Sequence, residues 1–188
     1  MYSRFLKPSL DRVVAAAALV ALSPVLVALA AAIRLEDGRP VLFRQERIGS
    51  DGTRFTVLKF RSMAKGTADL PSDRADDLRV TAVGRLIRRT NLDELPQLWN
   101  ILRGDMSFVG PRPALSAQEE LVRLRDANGA NQCCPGLTGL AQIKSYDGMP
   151  VSEKAAWDGT YARRVTAGRD LGIVIRTFGY LVRRPPVY

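Results

Sequence analysis

The run VVAAAALVALSPVLVALAAAI at residues 13–33 decides how this chain is built. No charge lies between Arg12 and Arg34, and a straight helix of this length rises roughly 30 Å, the depth of a bilayer core. A single transmembrane anchor is the simplest reading. Pro24 argues against it. At the centre of the run it removes a backbone hydrogen bond and clashes with the preceding turn, so a kink or break is expected there. Ser23 beside it can hydrogen-bond a freed carbonyl, which makes a break tolerable in lipid. Both flanks are basic, with Arg4, Lys7 and Arg12 before the run and Arg34, Arg39, Arg44 and Arg47 after it. Positive residues stay on the cytoplasmic side, so these flanks give no direction of crossing. A helix–break–helix that dips in and returns satisfies both observations; a spanning helix stays open as the alternative. A cleaved signal peptide fits worst, because the run exceeds the usual apolar stretch of roughly 7–15 residues.

Outside this run the composition is that of a folded domain. Of 188 residues 46% are apolar and 25% charged, which places the chain away from disorder. Lys and Arg number 28 against 19 Asp and Glu, a formal charge of +9 that favours polyanionic partners: nucleic acid, acidic headgroups or phosphorylated substrates. The only cysteines, Cys133 and Cys134, are adjacent, so neither a disulfide framework nor a structural zinc site is implied. There is no histidine, which excludes imidazole catalysis and histidine-ligated metals. Any nucleophile, acid or base is a carboxylate, hydroxyl, thiol or amine.

The organisation follows from local patterns. Residues 1–35 form the membrane segment and 36–188 one further domain. Runs 41–48 and 54–60, joined by Gly49-Ser50-Asp51-Gly52, predict a β-hairpin in which Phe55, Val57 and Lys59 share a face. Residues 64–80 read as a mobile loop. A helix is expected over about 81–90, with Arg85, Arg88 and Arg89 opposite its apolar side, and another over 92–103. The second carries an apolar stripe (Leu95, Leu98, Trp99, Leu102) and a polar one (Asp93, Gln97, Asn100). Further helices are expected over 115–127 and 168–183. The last has a broad face of Leu171, Val174, Ile175, Phe178 and Leu181 that reads as core, with the membrane surface as its other use. The fold class is therefore mainly α with a small β-hairpin, in a monotopic membrane protein with an N-terminal re-entrant helix–break–helix.

Asp93-Glu94 stands at the start of its helix, since Pro96 is tolerated only in a first turn. Two readings compete. Asp93 can be an N-cap, or Asn91 and Glu94 a capping box. Alternatively the helix start seats a phosphoryl group and holds Asp93 ionised as a carboxylate nucleophile, with nearby cations and a divalent metal neutralising the phosphate. On a helix the two acids point roughly 100° apart, which gives them different tasks. In Pro111-Arg112-Pro113 the flanking prolines fix the backbone around one guanidinium.

The strings KFRSM (59–63), LDELPQLWNILRGDMSFVGPRP (92–113) and PGLTGLAQ (135–142), with the break at Ser23-Pro24, closely resemble the monotopic phosphoglycosyl transferases, bacterial sugar transferases in their minimal catalytic form. The resemblance implies a re-entrant N-terminal helix at the cytoplasmic face of the bacterial inner membrane. It implies that Asp93 attacks the β-phosphate of a UDP-sugar, releasing UMP and leaving a covalent phosphosugar. Glu94 would then assist attack by polyprenyl (undecaprenyl) phosphate. Magnesium (Mg2+) would sit against Asp93, the one metal ligand implied. Lys59 and Arg112 match phosphate-binding residues, as do Arg61 and Arg88 more loosely, and Gln142 is a candidate nucleotide or sugar contact. The partners implied are UDP-sugar, polyprenyl phosphate and membrane lipid, with no nucleic acid, and a homodimer is left open. Two departures stand out: Asn91 where the family commonly has Ser, and Cys133-Cys134 where a basic residue precedes the proline. Asp158, Tyr161 and Asp170 loosely fit the family's Asp–Tyr–Asp pattern. A membrane-tethered nucleic-acid-binding or assembly protein is the alternative. It would call for clustered cations among exposed aromatics, whereas the basic residues are spread out and aromatics are only 7%.

Overall fold

The apolar run folds as two helices, not one. In a computed structural model that describes residues 2–66, 80–146 and 148–182, α1 (Lys7–Ala21) and α2 (Ser23–Asp37) meet at Leu22 with a 63° bend. Pro24 lies in the first turn of α2, where its missing N–H is least costly. Ser23 Oγ donates to the Val20 carbonyl at 2.8 Å, covering an acceptor at the break as the sequence predicts. No single helix among the described residues is long and apolar enough to cross a membrane; the bent pair meets that test only together.

Both halves of the pair pack one side on the domain, and an apolar outer side stays open along their length, including Val13 and Leu35. Ala15 of α1 is buried with Val57, Leu98, Ile101 and Met106, while Ile33 of α2 is buried with Phe60 and Ile87. Between them Val20 and Val27 are 76% and 68% exposed. Apolar side chains this open at a helix bend suit a lipid environment better than water.

The hairpin forms as predicted, β1 (Leu42–Ile48) pairing antiparallel with β2 (Arg54–Phe60) so that Phe43 faces Lys59 and Gln45 faces Val57. The outer edge of β2 is closed by one side chain. Asn100, buried on α4 (Gln97–Arg103), accepts from Leu58 N–H at 3.0 Å and donates to the Thr56 carbonyl at 2.7 Å. A side-chain amide thereby supplies what a neighbouring strand would, and it fixes β2 to α4. Asn100 belongs to the polar stripe read from the sequence, but its task is structural.

After α3 (Ala82–Arg89) the chain differs from expectation. No α-helix starts at Asn91–Asp93. Asn91 is left-handed (φ 54°), Leu92–Glu94 is a single 3-10 turn, and α4 begins only after Pro96. Neither capping reading holds, since no side-chain cap bond is made at this turn. Asparagine tolerates a left-handed backbone better than most residues, which lets the chain reverse sharply here.

The second half adds β3 (Ser107–Val109), α5 (Glu119–Asn128), β4 (Gly136–Thr138, parallel to β3), α6 (Leu140–Lys144), α7 (Val151–Ala162) and α8 (Ala167–Val182). The short strands, α6 and α7 were not foreseen, because glycine-rich and mixed-polarity stretches carry little periodicity. The face of α8 read as core is a correction. Asp170, Ile173 and Thr177 point inward, Thr177 Oγ1 lying 2.7 Å from Thr138 Oγ1, whereas Leu171, Ile175 and Phe178 stay 61%, 61% and 66% exposed. The inward line is mixed, and of the face read as core Val174 packs against the cluster of Val109, Leu140, Tyr161 and Ile173. The centre of the predicted 64–80 loop, residues 67–79, and the side chain of Leu181 lie outside the described residues.

Gly84 shows how tightly α3 is docked. A Cβ there would lie 2.0 Å from the carbonyl oxygen of Ser62, a clash with backbone that no rotamer relieves. Gly84→Ala is expected to lower stability by about 3 kcal/mol, read as a clear drop in melting temperature, while Gly168→Ala, in open space at the start of α8, costs far less.

Candidate active site

The 3-10 turn sets Asp93 and Glu94 against the end of β2 and the Pro111–Pro113 loop. Glu94 Oε1 accepts from Lys59 Nζ at 2.8 Å and from Arg112 Nη2 at 2.6 Å. These two cations hold the Glu94 carboxyl well below the usual carboxylate range despite its burial. Lys59 is itself pushed down, first by burial and then by Arg112, with Glu94 opposing. The Phe55–Val57–Lys59 row behaves as read from the strand period: two side chains enter the core and the third aims its charge at the turn.

Asp93 is different. It makes no hydrogen bond or ion pair among the described residues, and its carboxyl is raised from 3.8 to about 6. Burial is the main cause and Glu94 adds to it, while Lys59, Arg112 and Arg88 pull the other way. The fold therefore keeps a partly buried carboxylate without a bonding partner, at the edge of a group of fixed cations. A carboxylate in that state is available to a cation or an electrophile.

The other predicted residues divide. Arg88 lies within electrostatic range of Asp93 and donates from Nε to Ser62 Oγ at 2.8 Å. Arg61 turns elsewhere: its Nη2 pairs with Asp37 at 2.9 Å and caps the end of α2 through the Asp37 and Gly38 carbonyls. Gln142 folds back on its own loop, donating to the Leu137 carbonyl at 3.0 Å, with Oε1 buried and unpaired among the described residues. No described contact joins either residue to the carboxylate pair. Ser23 and Pro24 stand at the helix bend.

Three cations around Arg112 were missed as site residues. Arg47 on β1 bonds the Pro113 carbonyl and is lowered to about 10, by burial and then by Arg112. Arg125 is buried against Asp158, and Lys154 is lowered by burial and by the neighbouring Arg125, Arg112 and Arg47. For Arg47 the strand period was a usable signal, since it shares a face with Gln45 opposite Val57. The others sit on helices whose charges look solvated until the fold is known.

For a divalent cation the fit is partial but real. Among the described residues no three acidic, cysteine or histidine side chains converge. Asp93 alone has an unengaged carboxylate here. Magnesium needs only one or two protein carboxylates when substrate phosphates and waters complete its octahedron, so this donor set fits a metal that arrives with a phosphorylated ligand.

A buried acid among oriented cations, next to a broken apolar helix, is an arrangement able to seat a phosphorylated substrate. A family model described as bacterial sugar transferase matches residues 2–184, and the chain belongs to that family. The UDP-glucose:undecaprenyl-phosphate glucose-1-phosphate transferase of Caulobacter vibrioides is 43% identical over 187 residues, covering 94% of this chain and 70% of that protein. The exopolysaccharide production protein ExoY of Sinorhizobium fredii is 36% identical, covering 91% of this chain and 83% of its own length. A UDP-galactose-lipid carrier transferase of Erwinia amylovora is also 36% identical and matches 99% of this chain, which spans only 42% of that longer protein.

Charge removal at Asp93 separates a site residue from a helix cap. Because the folded state raises this carboxyl, it favours the protonated form, and that stability is lost as pH rises from 3.8 to about 6. Asp93→Asn is therefore expected to be more stable than the parent above pH 6, by about 2 kcal/mol after allowance for incomplete burial. The difference should close near pH 4, as thermal denaturation over a pH series would report. A cap would instead make the substitution neutral or costly at every pH.

Proposed function

We propose that the chain transfers a phosphosugar from a UDP-sugar to polyprenyl (undecaprenyl) phosphate, with Asp93 as the nucleophile. The observation that carries this reading is the state of Asp93: partly buried, unbonded, ionised above about pH 6 and flanked by Lys59, Arg88 and Arg112. Arg47 and Lys154 lie close behind. With Arg125 and Asp158 cancelling each other, these five cations exceed the two acids by three charges, a surplus suited to a diphosphate. The names of the relatives in Caulobacter and Erwinia point to the same substrate classes.

In the first step an Asp93 carboxylate oxygen attacks the β-phosphorus, the bond to the bridging oxygen breaks, and UMP leaves with that oxygen. Magnesium held by Asp93 and the diphosphate would neutralise phosphate charge. Lys59 and Arg112 share their charge between Glu94 and the arriving phosphate oxygens, which costs little reorganisation because both are already fixed in place. As the phosphate draws on that charge, Glu94 becomes more basic, able to orient the incoming acceptor. In the second step a phosphate oxygen of the polyprenyl carrier attacks the same phosphorus, and Asp93 leaves as a free carboxylate.

The bent α1–α2 pair gives the acceptor a route. Its apolar apex enters one leaflet and returns, and the exposed Leu171, Ile175 and Phe178 of α8 add apolar surface suited to the same lipid boundary. The membrane in question is the bacterial inner membrane, approached from the cytoplasmic face. Single cysteines at Ser3 and Arg39, in a chain with Cys133 and Cys134 replaced by alanine, are expected to label from the same side in intact cells. Labelling from opposite sides would mean that the pair spans.

The chemistry is tested directly by incubating the protein with UDP-glucose or UDP-galactose and no acceptor, then quenching. One phosphohexose should appear on Asp93 with an equivalent of UMP, and its formation should fall on the acid side with a midpoint near 6. Asp93→Asn should lower UMP release by about a thousandfold or more, since an amide is a poor nucleophile. Near-normal turnover by that variant would end the proposal.

A further inference from the structure

Four successive carbonyls of the loop that carries Arg112 are held by three parts of the fold: β4, α5 and β1. The Pro111 oxygen accepts from Gly136 N–H at 2.9 Å and the Arg112 oxygen from Arg125 Nη1 at 2.8 Å. The Pro113 oxygen accepts from Arg47 Nη1 at 3.3 Å, and the Ala114 oxygen from Ile48 N–H at 2.9 Å. The two backbone contacts are of the kind any strand edge makes. Arg125 is not. It is almost wholly buried on α5, and its Nε and Nη2 grip Asp158 Oδ2 of α7 at 2.9 and 2.6 Å.

Such a pair is poor evidence of a stability device, because well-packed apolar residues of the same volume are often as stable or more so. Its position suggests another use. The Arg112 guanidinium meets Lys59 on one oxygen of Glu94, and Arg47 and Lys154 both feel its charge. Lys154 stands one helical turn before Asp158, on the same face of α7. A flexible arginine in this company would swing away from its like-charged neighbours. Pinning its backbone removes much of that freedom.

We infer that Arg125, locked by Asp158, is a positioning residue for Arg112: by holding the Arg112 carbonyl it keeps the guanidinium on the carboxylate pair, where phosphate oxygens must arrive. Asp158 orients the fork, Arg125 carries the constraint to the loop, and the prolines on either side transmit it without slack. This rests on the reading of Asp93 and Arg112 given under the proposed function.

The experiment is a mutant cycle on the full chain in lipid nanodiscs, read by single-turnover UMP release from UDP-sugar. Arg125→Lys keeps a cation for Asp158 but loses the fork that spans two partners. It is expected to lower the rate at least tenfold in the parent, and to change it less than twofold when Arg112 is already alanine. The loss should appear in the rate constant and not in the amplitude of the single turnover, whereas a smaller folded fraction would lower the amplitude alone. Equal losses in both backgrounds, or no loss in the parent, would overturn the inference, since a merely structural residue acts whether or not Arg112 is present. If Arg125→Lys does not fold, Asp158→Asn, which keeps an acceptor for Arg125, replaces it in the same cycle with the same criteria. Failure of the underlying reading looks different: Arg112→Ala or Asp93→Asn alone would leave the rate unchanged.

Discussion

One oxygen of Glu94 accepts from Lys59 at the end of β2 and from Arg112 in the proline-bracketed loop. Three segments far apart in sequence meet at that atom, and the geometry of the site depends on it. Two cations on one carboxylate repel each other, so each must be held from behind. Lys59 is held by a strand whose open edge Asn100 closes, and Arg112 by a loop whose carbonyls are all taken. The turn carrying Glu94 is itself sharply bent at Asn91. This rigidity leaves Asp93, next along the turn, with burial and charge but no bonding partner among the described residues.

The broken N-terminal helix pair is built into the same framework. Lys7 at the start of α1 pairs with Asp170 of α8 at 2.7 Å, and Asp170 also accepts from Tyr161 and Tyr2. Asp11 accepts from Ser107 at 2.6 Å. Buried charges of this kind are costly unless fully satisfied, and here each finds partners from a distant element. The Asp–Tyr–Asp residues noticed in the sequence thus divide between two structural tasks, with Asp158 bracing the arginine loop and Tyr161–Asp170 anchoring the first helix. The broken helix is consequently no loose tether. Both of its halves are fixed to the domain along one side, and the other side is left open.

Much of this was legible along the chain. The break at Ser23-Pro24, the hairpin register with Lys59 in line behind Phe55 and Val57, and the helices near 81–90 and 168–183 follow from proline chemistry and from side-chain periods of 2 and 3.6. The pairing of Asp93 and Glu94 with different environments was also readable, although the helical reason first offered for it does not hold. What set them apart is a 3-10 turn, whose local sequence signals overlap those of a helix start. Arg61 was grouped with Lys59 through its motif, yet it caps α2, because one residue along from β2 the chain has left the sheet and points elsewhere.

The sequence by itself therefore determined the broken apolar helix, the strand that delivers a lysine and the two adjacent acids that it meets. These depend on backbone geometry over a few residues, which local residue types decide. Only the tertiary structure decided which cations reach those acids, that Asp93 is unbonded while Glu94 is saturated, and that the apolar side of α8 faces outward. Contacts of that kind join residues tens of positions apart, and their energies come from burial and charge, neither of which exists until the chain has closed on itself.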